Sequence, residues 1–120
     1  MRFMRSGSLI FQRKRNKMIR HIVALKFRTD VSVEMKRQIY AELNALADHI
    51  EGILDFRTFV NVSPEVPVVR GFQDVFWFDF RDAQVRDCYL EHPAHKAAGA
   101  KLVAVTDGKL DGIFVADIEL

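Results

Sequence analysis

The chain has 120 residues, 49% of them hydrophobic and 28% charged, with a single cysteine; this matches one soluble globular domain with one core and leaves no room for a second. The net charge of +2 hides an asymmetry: residues 1–17, MRFMRSGSLIFQRKRNK, hold six Arg or Lys and no acid, and the rest of the chain holds 12 basic against 16 acidic residues. The body is mildly acidic and its basic residues are scattered, which argues against a nucleic-acid footprint.

Three readings of the basic leader are open: a basic arm, an Arg-rich targeting peptide, or translation begun upstream of a true start at Met18. The last is favoured, because the apolar run at residues 8–11 is too short for a signal-peptide core or a membrane span. Residues 1–17 are expected to be a disordered or mis-assigned extension, and residues 18–120 the folded domain. The lone Cys88 has no partner in the chain and no C-x-x-C or C-x-x-H spacing, which favours a reducing, cytoplasmic setting; it reads as a small buried hydrophobe.

From Met18 the hydrophobic period changes in a regular order. RHIVALKFR, residues 20–28, puts His21, Val23, Leu25 and Phe27 on one face and Ile22 and Ala24 on the other, the pattern of a strand covered on both sides. Ser32 is placed to cap a helix with Glu34 in its first turn, and Met35, Ile39, Leu43, Leu46 and Ile50 then follow a 3.6-residue stripe until Gly52. ILDFRTFVNV, residues 53–62, alternates as a second strand. After a Ser- and Pro-containing loop at 63–71, FQDVFWFDF at 72–80 reads as a third strand, with Phe72, Phe76, Phe78 and Phe80 on one side and Val75 and Trp77 on the other. Asp82 opens a second helix with Val85, Cys88, Tyr89 and His92 on one stripe. Pro93, which suits a first helical turn, restarts the chain as a further helical segment to about Val105. TDGKLDG is a turn, and IFVADIEL closes the chain as a fourth strand, Phe114 and Ile118 opposing Ile113 and Val115.

The order βαββαβ is that of the ferredoxin-like α+β fold, a four-stranded antiparallel sheet with the helices on one face. The strands are apolar on both sides, so the second face would expose more contiguous hydrophobic area than soluble monomers show, and a sheet-to-sheet homodimer is expected. The helices are expected to take the phenylalanine-rich side of the third strand, leaving Val75 and Trp77 for the partner.

The stretch YLEHPAHKAAG, residues 89–99, sets a tyrosine, two histidines and a proline within seven residues. A histidine in the first turn after Pro93 meets the positive end of a helix dipole, which keeps His95 neutral and available as a base. A tyrosine hydroxyl nearby can donate to an oxygen on which negative charge builds. Tyr89 and His95 read either as a pocket pair or as a buried hydrogen-bonded pair at the helix junction. His92, before Pro93, reads as structural, its ring fixing the turn through backbone hydrogen bonds. A metal held by His92, His95 and Glu91 is disfavoured by the intervening proline and the lack of a further ligand cluster.

Together, RHIVALKF, IEGI, the aromatic third strand and YLEHPAH resemble the stress-responsive α+β barrel domain family, often called Dabb, over residues 19–119. The resemblance implies a dimeric α+β barrel. Most bacterial-type members have no assigned reaction, while plant members include stress-induced proteins and polyketide cyclases that close an aromatic ring by aldol condensation without a cofactor. It implies a working pair at Tyr89 and His95 and a pocket histidine at His21. Two function classes follow: a homodimer binding a hydrophobic small molecule, acting as a cofactor-free cyclase, isomerase or lyase on a carbonyl compound, or a non-enzymatic stress-associated dimer. A cofactor-independent monooxygenase follows from fold analogy alone and draws no support from the motif residues. No cofactor, metal, nucleic acid or membrane is expected as a partner.

Overall fold

A computed structural model describes residues 17–120; the expectations for the leader fall, Lys17 apart, outside the described residues. Four strands, β1 (Ile19–Leu25), β2 (Ile53–Val60), β3 (Asp74–Phe80) and β4 (Ile113–Glu119), form one sheet in the order β2-β3-β1-β4. Every neighbouring pair is antiparallel. The helices are α1 (Val33–Asn44), a short α2 (Val66–Val69) within the expected loop, α3 (Ala83–Glu91) and α4 (Pro93–Val105). This is the ferredoxin-like α+β arrangement with its second helical region broken in two.

Local chemistry sets the helix ends. The Ser32 hydroxyl accepts the Met35 amide and the Asp82 carboxylate accepts the Val85 amide, so α1 and α3 each begin at a side-chain cap. The chain then tightens into a 3₁₀ turn at Ala45–Asp48, which carries the apolar stripe on through Leu46 to Ile50. Gly52 enters β2 at φ +101°, and a Cβ there would stand 2.5 Å from Val85 Cγ2, so only glycine suits both the backbone and the close approach of α3.

Strand parity divides the sheet. Ile19, His21, Val23 and Leu25 face the helices together with Phe76, Phe78 and Phe80, and all are buried. Ile39, Leu43, Leu46, Ile50, Val85, Tyr89, Ala98 and Leu102 close over them as one cluster. Truncating one of these phenylalanines to alanine costs about 3–5 kcal/mol. The other face carries Ile22, Ala24, Val75, Trp77, Phe59, Phe114 and Ile118, with Phe114 58% and Ile118 44% exposed. Val75 and Trp77 therefore lie on the uncovered face, as their alternation with the phenylalanines requires. At its charged end Arg20 grips Asp79 through two bonds, at 2.8 and 3.0 Å, and lies 4.5 Å over the Trp77 ring.

Three local expectations need correcting. Cys88 is exposed, because α3 meets the sheet along the narrow line of Val85 and Tyr89 and a residue one helical step aside falls outside it. Met35 is 42% exposed, and the buried stripe of α1 begins at Ile39. Phe72 lies before β3 and is only half-buried.

Candidate functional site

The break between α3 and α4 can be followed bond by bond. In an unbroken helix the Tyr89 carbonyl would accept from residue 93, but Pro93 has no N–H. That carbonyl instead takes the His92 amide at 3.2 Å. His92 turns extended, with φ −68° and ψ 133°, and its Nδ1 accepts the Ala94 amide at 3.0 Å, capping α4. Ala94 would otherwise have paired with the Leu90 carbonyl, which is thereby freed. His95 fills the vacancy by donating from Nδ1 to the Leu90 oxygen at 3.2 Å. H-P-x-H thus works as a device: the first histidine caps, the proline breaks, and the second histidine is oriented by the carbonyl that the break releases.

Tyr89 is 1% exposed. Its ring meets His95 at 4.1 Å between centroids, Phe78 at 4.8 Å, Phe80 at 5.0 Å and His21 at 5.6 Å. No hydrogen bond to its hydroxyl forms among the described residues, so the tyrosine and His95 pack ring against ring without bonding to each other. Burial pushes the phenol well above its ordinary value. It stays a neutral donor.

His21 reaches the same place from the sheet. It pairs across the ladder with Asp117 of β4, and its Nδ1 stands 2.7 Å from Asp117 Oδ1. The second carboxylate oxygen of Asp117 accepts from Arg86 Nη1 of α3 at 3.1 Å. A carboxylate so held, like the Leu90 carbonyl, can only accept. In its neutral form each imidazole therefore carries its proton on Nδ1 and keeps its lone pair on Nε2. Burial lowers the His95 pKa below its ordinary value; the bond to Leu90 opposes this, and the charges of His21, Lys96 and His92 add to it. Burial favours a neutral base here.

These groups share a cavity of about 320 Å³ between the sheet and α4. It is lined by His21, Tyr89, His95 and Asp117 at its polar part, and elsewhere by apolar side chains such as Val23, Leu43, Phe76, Leu102 and Val115, with Gly99. His21, Tyr89 and His95, singled out by the sequence, are brought together; His92 and Pro93 form the junction beside them. Asp117 and Arg86 were missed. Asp117 had a signal, since it shares the inward parity of Ile113 and Val115 on β4, where an acid is out of place. Arg86 had none, its partner being 31 residues away. Glu91 turns to Lys96 at 3.4 Å, and no cluster of three or more metal-ligating side chains occurs among the described residues. Among these residues no helix is long and apolar enough to cross a membrane.

The model of the stress-responsive A/B barrel domain, Dabb, matches residues 19–120. The chain belongs to the Dabb family. A Dabb chain of known structure shares its fold: a Mesorhizobium loti family member with a ferredoxin-like fold is 19% identical, with 87% of this chain and 97% of that one covered and a TM-score of 0.69. A dimeric ferredoxin-like protein of unknown function from Jannaschia sp. CCS1 is 31% identical, with 86% and 99% covered and a TM-score of 0.77. A hydroxynitrile lyase from Passiflora edulis is 16% identical, with 88% and 94% covered and a TM-score of 0.74, a likeness of fold alone. A search of curated proteins finds no match.

Proposed function

We propose that this Dabb chain is a homodimer that binds a neutral, hydrophobic carbonyl compound in the cavity beneath α4 and acts on it as a cofactor-free lyase- or cyclase-type enzyme. The observation that carries the reading is a tyrosine hydroxyl with no hydrogen bond among the described residues, flanked by two imidazoles held through Nδ1, in a cavity whose walls, Asp117 apart, are otherwise apolar. Among the described residues no Lys or Arg lines the cavity, which disfavours carboxylate or phosphate ligands and suits a neutral one.

The roles follow from the geometry. Tyr89 donates to the carbonyl oxygen as negative charge develops there. His95 Nε2 takes a proton from the carbon next to that carbonyl, and the carbanion equivalent so formed is held as an enolate with its charge on oxygen. His21, braced by Asp117 and Arg86, accepts at Nε2 from a hydroxyl neighbouring the carbonyl. Making or breaking a carbon–carbon bond at that centre needs only these groups. The uncovered sheet face, with its apolar centre, supports the homodimer, as does the dimeric Jannaschia relative. The exposed, unpaired Cys88 favours a reducing, cytoplasmic setting.

The test uses acetophenone in D₂O, followed by NMR. The parent chain should shift the amides lining the cavity in a saturable way and exchange the methyl protons of the ketone for deuterium, and His95→Ala should lose the exchange while remaining folded. Binding and exchange both absent from the parent would overturn the reading and leave a non-enzymatic stress-associated dimer.

A further inference from the structure

Gly99 is the one cavity-lining residue that the helix around it does not explain. It sits in the middle of α4, whose sequence PAHKAAGAKLVAV supplies alanine at nearly every other small position. Glycine inside a helix is destabilising relative to alanine. The backbone does not ask for it, because the glycines with positive φ are Gly52, Gly71 and Gly108. Packing does not ask for it either: a Cβ built on Gly99 meets nothing within 4 Å. Gly99 lines the cavity, so that open space belongs to the cavity. Four residues after His95, it lies one helical turn along the same face as the imidazole.

We propose that Gly99 sets the size of the ligand at the reacting end of the cavity, its missing side chain leaving a notch beside His95 for an apolar group attached directly to the carbonyl carbon. Leu90, Leu102 and Val103 also line the cavity from α3 and α4, so the notch suits a hydrocarbon substituent, aryl or branched alkyl, and the class of compound it favours is the neutral ketone that carries such a group on its carbonyl carbon. The inference rests on the carbonyl-site reading above and adds to it which ligands fit and which residue decides.

The experiment compares the full chain with Gly99→Ala and Gly99→Leu, using two neutral ketones of different bulk: acetophenone, and the larger fluorescent 6-acetyl-2-dimethylaminonaphthalene. The parent should bind both. Gly99→Ala should melt higher by about 4–8 °C, as expected when a helix-interior glycine is replaced without a clash. It should also lose about fivefold or more in affinity for the naphthyl ketone while holding acetophenone within about twofold. Gly99→Leu should bind the naphthyl ketone no longer. If the parent binds neither ketone, the carbonyl-site reading falls and this inference with it. If the parent binds both and Gly99→Ala binds both with unchanged affinity, the inference alone is overturned. A lower melting temperature for Gly99→Ala would equally overturn it, since the glycine would then be kept for packing.

Discussion

Replacing Tyr89 by phenylalanine removes one oxygen atom from the centre of the molecule, and the two uses of that oxygen predict opposite things. A tyrosine hydrogen-bonded inside the fold would lose about 0.5–1.5 kcal/mol on the change, and about 1–3 kcal/mol more if a buried partner were left unpaired. The Tyr89 hydroxyl has no such partner among the described residues, so Tyr89→Phe should leave the fold within about 1 kcal/mol of the parent, a shift of less than about 4–8 °C in Tm for a domain of this size. Tyr89→Ala is the control. It deletes a ring in contact with His21, Phe78, Phe80 and His95, costs about 3–5 kcal/mol and should lower Tm by more than about 12 °C. Against acetophenone the order changes: Tyr89→Phe, though folded, should lose about 1–3 kcal/mol, or about 5- to 150-fold, in affinity or in the rate of deuterium exchange. Thermal unfolding followed by circular dichroism, with the NMR exchange assay beside it, measures both halves. A Tyr89→Phe chain melting more than about 8 °C below the parent, with ligand behaviour unchanged, would refute the reasoning and return the tyrosine to the core.

The depressed pKa of His95 should appear as an NMR titration midpoint below the ordinary histidine value of about 6.5. Because the folded value lies below the unfolded one, the stability linked to this group is present above the unfolded pKa and lost as pH falls through the folded one; exchange of acetophenone should fade over the same window, and a midpoint at or above the ordinary value would contradict this. For the assembly, Val75→Glu, on the uncovered face, should convert a dimeric parent to monomer or unfold it in sedimentation velocity runs, whereas a well-folded monomeric parent at dilute concentration would rule out the sheet-to-sheet dimer.

The sheet was legible because period-two alternation is a local property that burial enforces: once Phe76, Phe78 and Phe80 share a face, Val75 and Trp77 must share the other. The caps Ser32 and Asp82 were legible for the same local reason. Cys88 and Met35 were not, because a helical stripe gives the direction of the core but not its width, and α3 is buried along little more than one line. Asp117 lies between these cases. Its parity placed it inward, yet an inward acid acquires meaning only with Arg86 on one oxygen and His21 on the other, and those partners come from α3 and β1.

The same distinction explains how much of the H-P-x-H motif could be read. Pro93 breaks a helix whatever surrounds it, and the residue before a proline is pushed to extended backbone by its ring, so the interruption at His92 is written in the sequence. What is not written there is where the released bonds go. The orphaned Leu90 carbonyl could have been satisfied by water or by Ala94; it falls to His95 because His92 has already taken the Ala94 amide. One capping choice therefore fixes which nitrogen of the catalytic candidate carries the proton and which keeps its lone pair. The two histidines are coupled through backbone atoms, so the chemistry proposed for His95 depends on a capping residue outside the cavity lining.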